Sequence, residues 1–243
     1  MAGLEMAHAA GSMKRFYKTA SVGAVDDGQF EILLDGRPVR TPARAPLRVP
    51  SKAIADAITA EWNDQGDSID PRAMPLTGLA NAALDRITPE PQAFAAGLAA
   101  YGESDLLCYR AEGPDALAAR QADLWEPLLD WARRRFDVEF AVVCGIVHHP
   151  QHAATIERLR RAVEARSPFE LAALAPLVTI SGSLVIALAL AERAISLDQA
   201  WSAATLDEAW QAEKWGEDAE ATRTLEARYR EFEAAFRLLE LLE

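Results

Sequence analysis

Three histidines stand close together, His148, His149 and His152. Imidazole is the commonest protein ligand for a metal. A metal held there could activate water, which would make the chain a metal-dependent small-molecule hydrolase. The spacing does not complete such a site. No HExxH is present, and no Asp or Glu is placed to finish a ligand set. The three rings read better as solvent-facing loop histidines beside Pro150, with the hydrolase kept as the alternative. Thr179-Ile180-Ser181-Gly182-Ser183 is similar to a nucleophile turn. It lacks the flanking glycines of GxSxG, and no strand precedes it. A Ser/Gly patch that lets helices approach closely fits better. No GxGxxG or GxxxxGK[ST] occurs to cradle phosphate. The carboxylates are many, but none forms an isolated pair, and most read as solvated helix faces. The two cysteines, Cys108 and Cys144, form no CxxC and read as reduced thiols. No catalytic residue, metal or cofactor is expected.

The tryptophans are more informative. Trp62, Trp125, Trp131, Trp201, Trp210 and Trp215 all fall in segments of helical pattern. Tryptophan is enriched both in cores and in binding hot spots. Trp215-Gly216-Glu217-Asp218 is different from the rest. Its glycine breaks the helical pattern, and its acids suit the positive end of the next helix. Residues 205–243 hold eleven acidic and five basic residues, net −6.

The elements that carry these residues follow from periodicity. With 243 residues, one or two domains are expected. Alanine supplies 49 of them, about a fifth, so helix should dominate. The net charge of −12 argues against nucleic acid or an anionic membrane as the main partner. Residues 14–50 nevertheless read as β. Strands are expected at 16–22, 30–34 and 37–40, with turn signals at Asp26-Asp27-Gly28 and Asp35-Gly36. Residues 14–52 carry eight basic and four acidic side chains, net +4. At Ser51 the pattern changes to a 3.6-residue period. Helices are expected at 52–64, 77–87, 88–100, 115–136, 151–166, 169–195, 198–214 and 217–243. Residues 138–147 are β-branched and read as an isolated strand that returns to the N-terminal sheet. The expected class is α+β. A small β-rich N-terminal domain (14–50, joined by strand 138–147) precedes a larger, mainly α-helical domain (51–243). Leu171–Ala191 is 21 residues without a charge, which is membrane-spanning length. Pro176 and Ser181-Gly182-Ser183 interrupt it, so a buried helix is expected. Residues 1–12 have neither a secretory h-region nor an Arg-rich transit pattern, and are set aside.

Several runs carry a resemblance. Leu34-Asp35-Gly36-Arg37-Pro38-Val39-Arg40-Thr41-Pro42 is the longest. Glu61-Trp62 with Gln65-Gly66 follows, then Met74-Pro75-Leu76-Thr77 with Asn81. Next come Tyr101 with Ser104-Asp105-Leu106-Leu107-Cys108-Tyr109-Arg110, and Trp125-Glu126-Pro127-Leu128. Ser181-Gly182-Ser183-Leu184 and Trp215-Gly216-Glu217-Asp218-Ala219-Glu220 complete the set. In this order they resemble the assembly chaperones of the F-one sector of ATP synthase that bind the alpha subunit. The resemblance spans nearly the whole chain from Lys14 onward. It implies the same two-part fold, no catalysis, and a monomer that holds newly made alpha subunit until it meets beta. It implies a bacterial, cytoplasmic member, with mitochondrial-matrix relatives. The partner surface is expected at Trp215, Glu217, Asp218 and Glu220, with the basic hairpin at Arg37 and Arg40 as the other candidate.

Overall fold

The computed structural model describes residues 13–25, 27–216 and 218–243. Residues 1–12, Asp26 and Glu217 lie outside the described residues. Two compact units divide between Asp85 and Arg86.

The first unit contains β1 (Met13–Lys14), β2 (Ala20–Ala24), β3 (Phe30–Leu34), β4 (Arg37–Pro38), β5 (Arg48–Val49), α1 (Lys52–Asn63), β6 (Ser68–Ile69) and α2 (Pro75–Ala82). β3 is the centre of its sheet, with antiparallel partners β2, β4 and β5. The β3–β4 turn is Asp35-Gly36, and both residues have positive φ, 48° and 79°. That conformation matches strand twist, and Asp-Gly supplies it cheaply. The Asp35 carboxylate also accepts the N–H groups of Lys18 (3.1 Å) and Thr19 (3.0 Å), which holds its pKa below the usual carboxylate range. The strand expected at 16–22 is β2 and begins at Ala20 rather than Phe16, since Asp35 takes the Lys18 and Thr19 N–H groups that a strand partner would need. Ser51 caps α1 by accepting the Ile54 N–H, as its type suggests. Ile54, Ala55 and Ile58 are buried beneath β2 and β3. The compact division therefore falls past the change of pattern at Ser51. A sheet with one apolar face must be covered, and α1 is its cover.

The second unit contains α3 (Pro91–Ala99), β7 (Tyr109–Arg110), α4 (Asp115–Phe136), β8 (Val143–Cys144), α5 (Ala153–Glu164), α6 (Pro168–Ser181), α7 (Leu184–Ala191), α8 (Leu197–Ala204), α9 (Leu206–Trp215) and α10 (Ala219–Leu241). α6 and α7 lie at its centre. Leu184 through Leu190 are all buried, which explains their unbroken apolar run. No helix among the described residues is long and apolar enough to cross a membrane. α10 packs along α6 and buries Phe232, Ala234, Ala235, Leu238 and Leu239. Pro127 sits inside α4 without dividing it.

Three expectations for this unit are corrected. The single helix over 198–214 is two, α8 and α9, because Thr205 (φ −114°, ψ 17°) leaves the helical conformation between them. The single helix over 169–195 is two, because Gly182 takes the left-handed conformation (φ 66°) that ends α6, and Ser183 caps α7. Of 138–147, only Val143–Cys144 is strand, and it pairs parallel with Tyr109–Arg110 instead of the N-terminal sheet. Side chains satisfy the backbone elsewhere in that run. Gln151 bonds both the N–H and the carbonyl of Ala141 at 2.9 Å, and Thr155 bonds both of Glu139. A backbone without strand partners still needs its hydrogen bonds met, and side chains meet them here.

Candidate functional site

Most of the unusual sequence runs meet one another inside the fold. In the first unit the Glu61 carboxylate accepts the N–H groups of Leu76 (2.7 Å) and Thr77 (2.8 Å) and the Thr77 hydroxyl (2.7 Å). It thereby caps α2. Thr41, at the end of the long basic hairpin, donates to Asp85 at 2.6 Å.

In the second unit the buried Asp105 carboxylate accepts Leu107 N–H at 3.1 Å and Val185 N–H at 3.0 Å. It holds the start of α7. Burial pushes its carboxyl up to about 6, against the opposing pull of these donors. Arg110 donates to Glu126 at 3.0 Å and lies 5.2 Å over the Trp125 ring. Trp125 itself donates to the Ala203 carbonyl at 2.9 Å. These residues are spent on the fold.

The residues suggestive of chemistry are also accounted for. Ser181 donates to the Leu177 carbonyl (2.6 Å) and accepts from Ser183 N–H (3.1 Å), so it ties a helix joint rather than a nucleophile turn. Cys108 is a free thiol whose pKa burial pushes up to about 12. His148 pairs with the Tyr109 hydroxyl at 3.2 Å, and His149, like His148, is exposed. Among the described residues no group of three metal-ligating side chains converges.

Trp215 is the exception. It stands at the last position of α9 and is 79% exposed. The other tryptophans are buried or half-buried; Trp210, on the same helix, lies between Arg120 (4.9 Å) and Lys214 (4.6 Å). Gly216, with φ 89°, then turns the chain away from the helix path. Asp218 begins the return. One of its oxygens accepts Glu220 N–H at 2.6 Å and Ala221 N–H at 3.2 Å, making it the cap of α10. Asp218 and Glu220 are both exposed. Between α9 and α10 runs a groove of about 590 Å³, lined by Trp215, Asp218, Glu220, Ala221 and Leu225 among others. At its far side Arg228 is occupied by the Ile180 carbonyl (3.0 Å) and Glu208 (3.2 Å). The structure therefore brings Trp215, Asp218 and Glu220 together; Glu217, between them in sequence, is outside the described residues. Arg37 and Arg40 belong to a different surface, in the first unit. Sequence reading missed the groove itself, since the pairing of α9 and α10 faces has no local signature.

An exposed indole, two carboxylates and an open apolar trough can grip a protein surface. They hold no nucleophile beside a base, and nothing that orients one. The class such a surface indicates is a protein that binds other proteins. Residues 14–133 match the family model described as ATP12 chaperone protein. The crystal structure of Atp12 from Paracoccus denitrificans is 39% identical, with a TM-score of 0.89 over 95% of this chain and 99% of that one. The Agrobacterium tumefaciens protein Atu1473 is 43% identical, with a TM-score of 0.90 over 95% of this chain and 86% of that one. The mitochondrial protein atp12 of Schizosaccharomyces pombe is 25% identical over 222 residues, which are 86% of this chain and 76% of the relative. The chain belongs to the ATP12 chaperone family, whose members are not enzymes.

Proposed function

We propose that this chain is an assembly chaperone for the F-one sector of proton-transporting ATP synthase. It binds newly made alpha subunit and keeps it from aggregating until it pairs with beta. The observation that carries this reading is the likeness to Atp12 of Paracoccus denitrificans along almost the entire length of both chains. The physical need is plain. A subunit destined for an alternating ring exposes apolar interfaces until its neighbours arrive, and such surfaces aggregate. A protein that covers one must later yield it, which favours a few anchors over a large apolar face. Trp215 is such an anchor. Asp218, Glu220 and Glu217 would select a basic residue on the client and favour productive encounter. The chain acts as a monomer in the bacterial cytoplasm. Pull-down from a lysate containing unassembled alpha and beta tests the reading: alpha should be retained selectively. Retention of neither subunit, or of both equally, contradicts it.

A further inference from the structure

The first unit has its own open surface. A cavity of about 740 Å³ runs beside β4, between it and β1. Its floor is aromatic and aliphatic. Tyr17 stacks edge-on against Trp62 (5.5 Å) and against Phe16 (5.4 Å). Val39, Trp62 and Ile69 are only half-buried around the small Tyr17–Ala20–Leu34 cluster. That cluster is separate from the Ile54–Ile58 core, and one side of it is uncovered. Phe16, at the rim, is 67% exposed, and Met13 beside it is exposed too. A contiguous apolar surface in a concavity marks a binding site more often than a packing fault.

The rim is positive. Arg37 and Arg40 both line the cavity and are both exposed. Among the described residues neither is paired with a carboxylate; the Arg40 guanidinium reaches only the Arg44 carbonyl, at 2.8 Å. Asp35 is the one carboxylate among the lining residues, and its oxygens face the Lys18 and Thr19 N–H groups. The segment 14–52 carries net +4 in a chain of net −12. A small molecule would need several convergent polar groups to orient it. On this floor the Tyr17 hydroxyl is spent on the Trp62 carbonyl, which leaves only the Trp62 Nε1 donor there, without a partner among the described residues. The wall formed by β4 is a two-residue edge strand, and Pro38 has no N–H to donate to an added strand. Recognition must therefore go through side chains.

We propose that this cavity is a docking site for an extended, acidic and apolar segment of a partner protein. In an extended segment successive side chains point to opposite sides. Alternate apolar residues would lie on Phe16, Tyr17 and Trp62. Intervening carboxylates would meet Arg37 and Arg40 at the rim, where Arg offers paired donors. The site is independent of the α9–α10 groove and does not rest on the alpha-subunit reading.

The test is fluorescence anisotropy with the full-length protein. The probes are short fluorescein-labelled peptides alternating Glu with Leu, Lys with Leu, and Glu with Ser. The Glu/Leu peptide should bind saturably, and both others at least about tenfold more weakly. Phe16→Ala and the double variant Arg37→Glu/Arg40→Glu should each weaken the Glu/Leu peptide by at least about tenfold. All of these side chains are exposed, so melting temperatures should hold. Trp215→Ala should leave peptide binding unchanged while reducing capture of alpha subunit. The proposal is overturned if the Glu/Leu peptide does not bind, if Lys/Leu binds as well, or if the variants bind normally. It is also overturned if phosphatidylserine vesicles bind through Arg37 and Arg40 while the peptide does not. A dimer in sedimentation that the arginine variant dissolves would assign the cavity to self-association instead.

Discussion

Asp105 ties together two segments of the second unit. Its carboxylate is buried and accepts N–H groups from two separate segments. Asp105→Ala leaves those donors buried and unpaired, and should cost about 3 kcal/mol in chemical denaturation. The pH dependence has a definite sign. The folded-state pKa is raised to about 6 by burial, so the folded chain holds this proton more tightly than the unfolded one. The contribution of Asp105 to stability is therefore greatest below the unfolded carboxylate range and declines as pH rises to about 6. Asp105→Asn, which cannot titrate, lacks that decline, so the difference between the two stability curves should show it. A difference curve that stays flat between about pH 4 and pH 6 would refute the assignment. Trp62 behaves differently. Its ring is half-buried against Tyr17, and its carbonyl accepts the Tyr17 hydroxyl at 2.6 Å. Trp62→Arg loses that aromatic packing but can extend its charge to solvent. The expected cost is about 2–3 kcal/mol, read as a lowered melting temperature. The quoted runs around Asp105 and Ser183 were visible in the sequence, but their meeting was not. Eighty residues separate Asp105 from Val185, and no local periodicity encodes so distant a hydrogen bond.

At the scale of elements, strongly periodic segments were legible. The α1 and α4 segments run within a residue of their expected limits, because apolar spacing and capping agree there. Joints were harder to read. Gly182 sits within a run whose apolar pattern continues on both sides, so its left-handed backbone was hidden. Adding a Cβ there meets nothing closer than Leu106 Cβ at 3.9 Å, so space is not the constraint. Backbone conformation is. Gly182→Ala should cost about 1 kcal/mol, and Gly182→Val more, measured as a shift in urea midpoint at unchanged slope. Gly145 differs in kind. Its φ is 87°, and an added Cβ would lie 2.9 Å from Glu112 Oε1. The Val143–Cys144 strand was misassigned to the N-terminal sheet for a related reason. Its partner, Tyr109–Arg110, is itself only two residues long, too short to register as a strand by pattern.

On the scale of the whole molecule, charge and exposure separate what holds the fold from what meets a partner. Most of the unusual runs are satisfied internally, by Glu61 with Thr77, Asp105 with Val185, and Arg110 with Glu126. At the α9–α10 corner, Asp218 caps α10 but Trp215 is not used in this way. Its indole is 79% exposed, and the acids of the corner lie in a C-terminal stretch, 205–243, of net charge −6. Exposed charges act through water, so capture resting on them should weaken as salt rises above physiological strength. The most direct measurement pairs thermal melting with recovery of alpha subunit from lysate, for wild type, Trp215→Ala and Glu217→Lys. The account predicts melting within about 2 °C of wild type for both variants; at Trp215, which is 79% exposed, a substitution seldom exceeds about 0.5 kcal/mol. It predicts alpha recovery reduced at least about tenfold in both variants. Full recovery of alpha together with a lowered melting temperature would contradict it, and would make this corner a structural cap rather than the surface that holds the client.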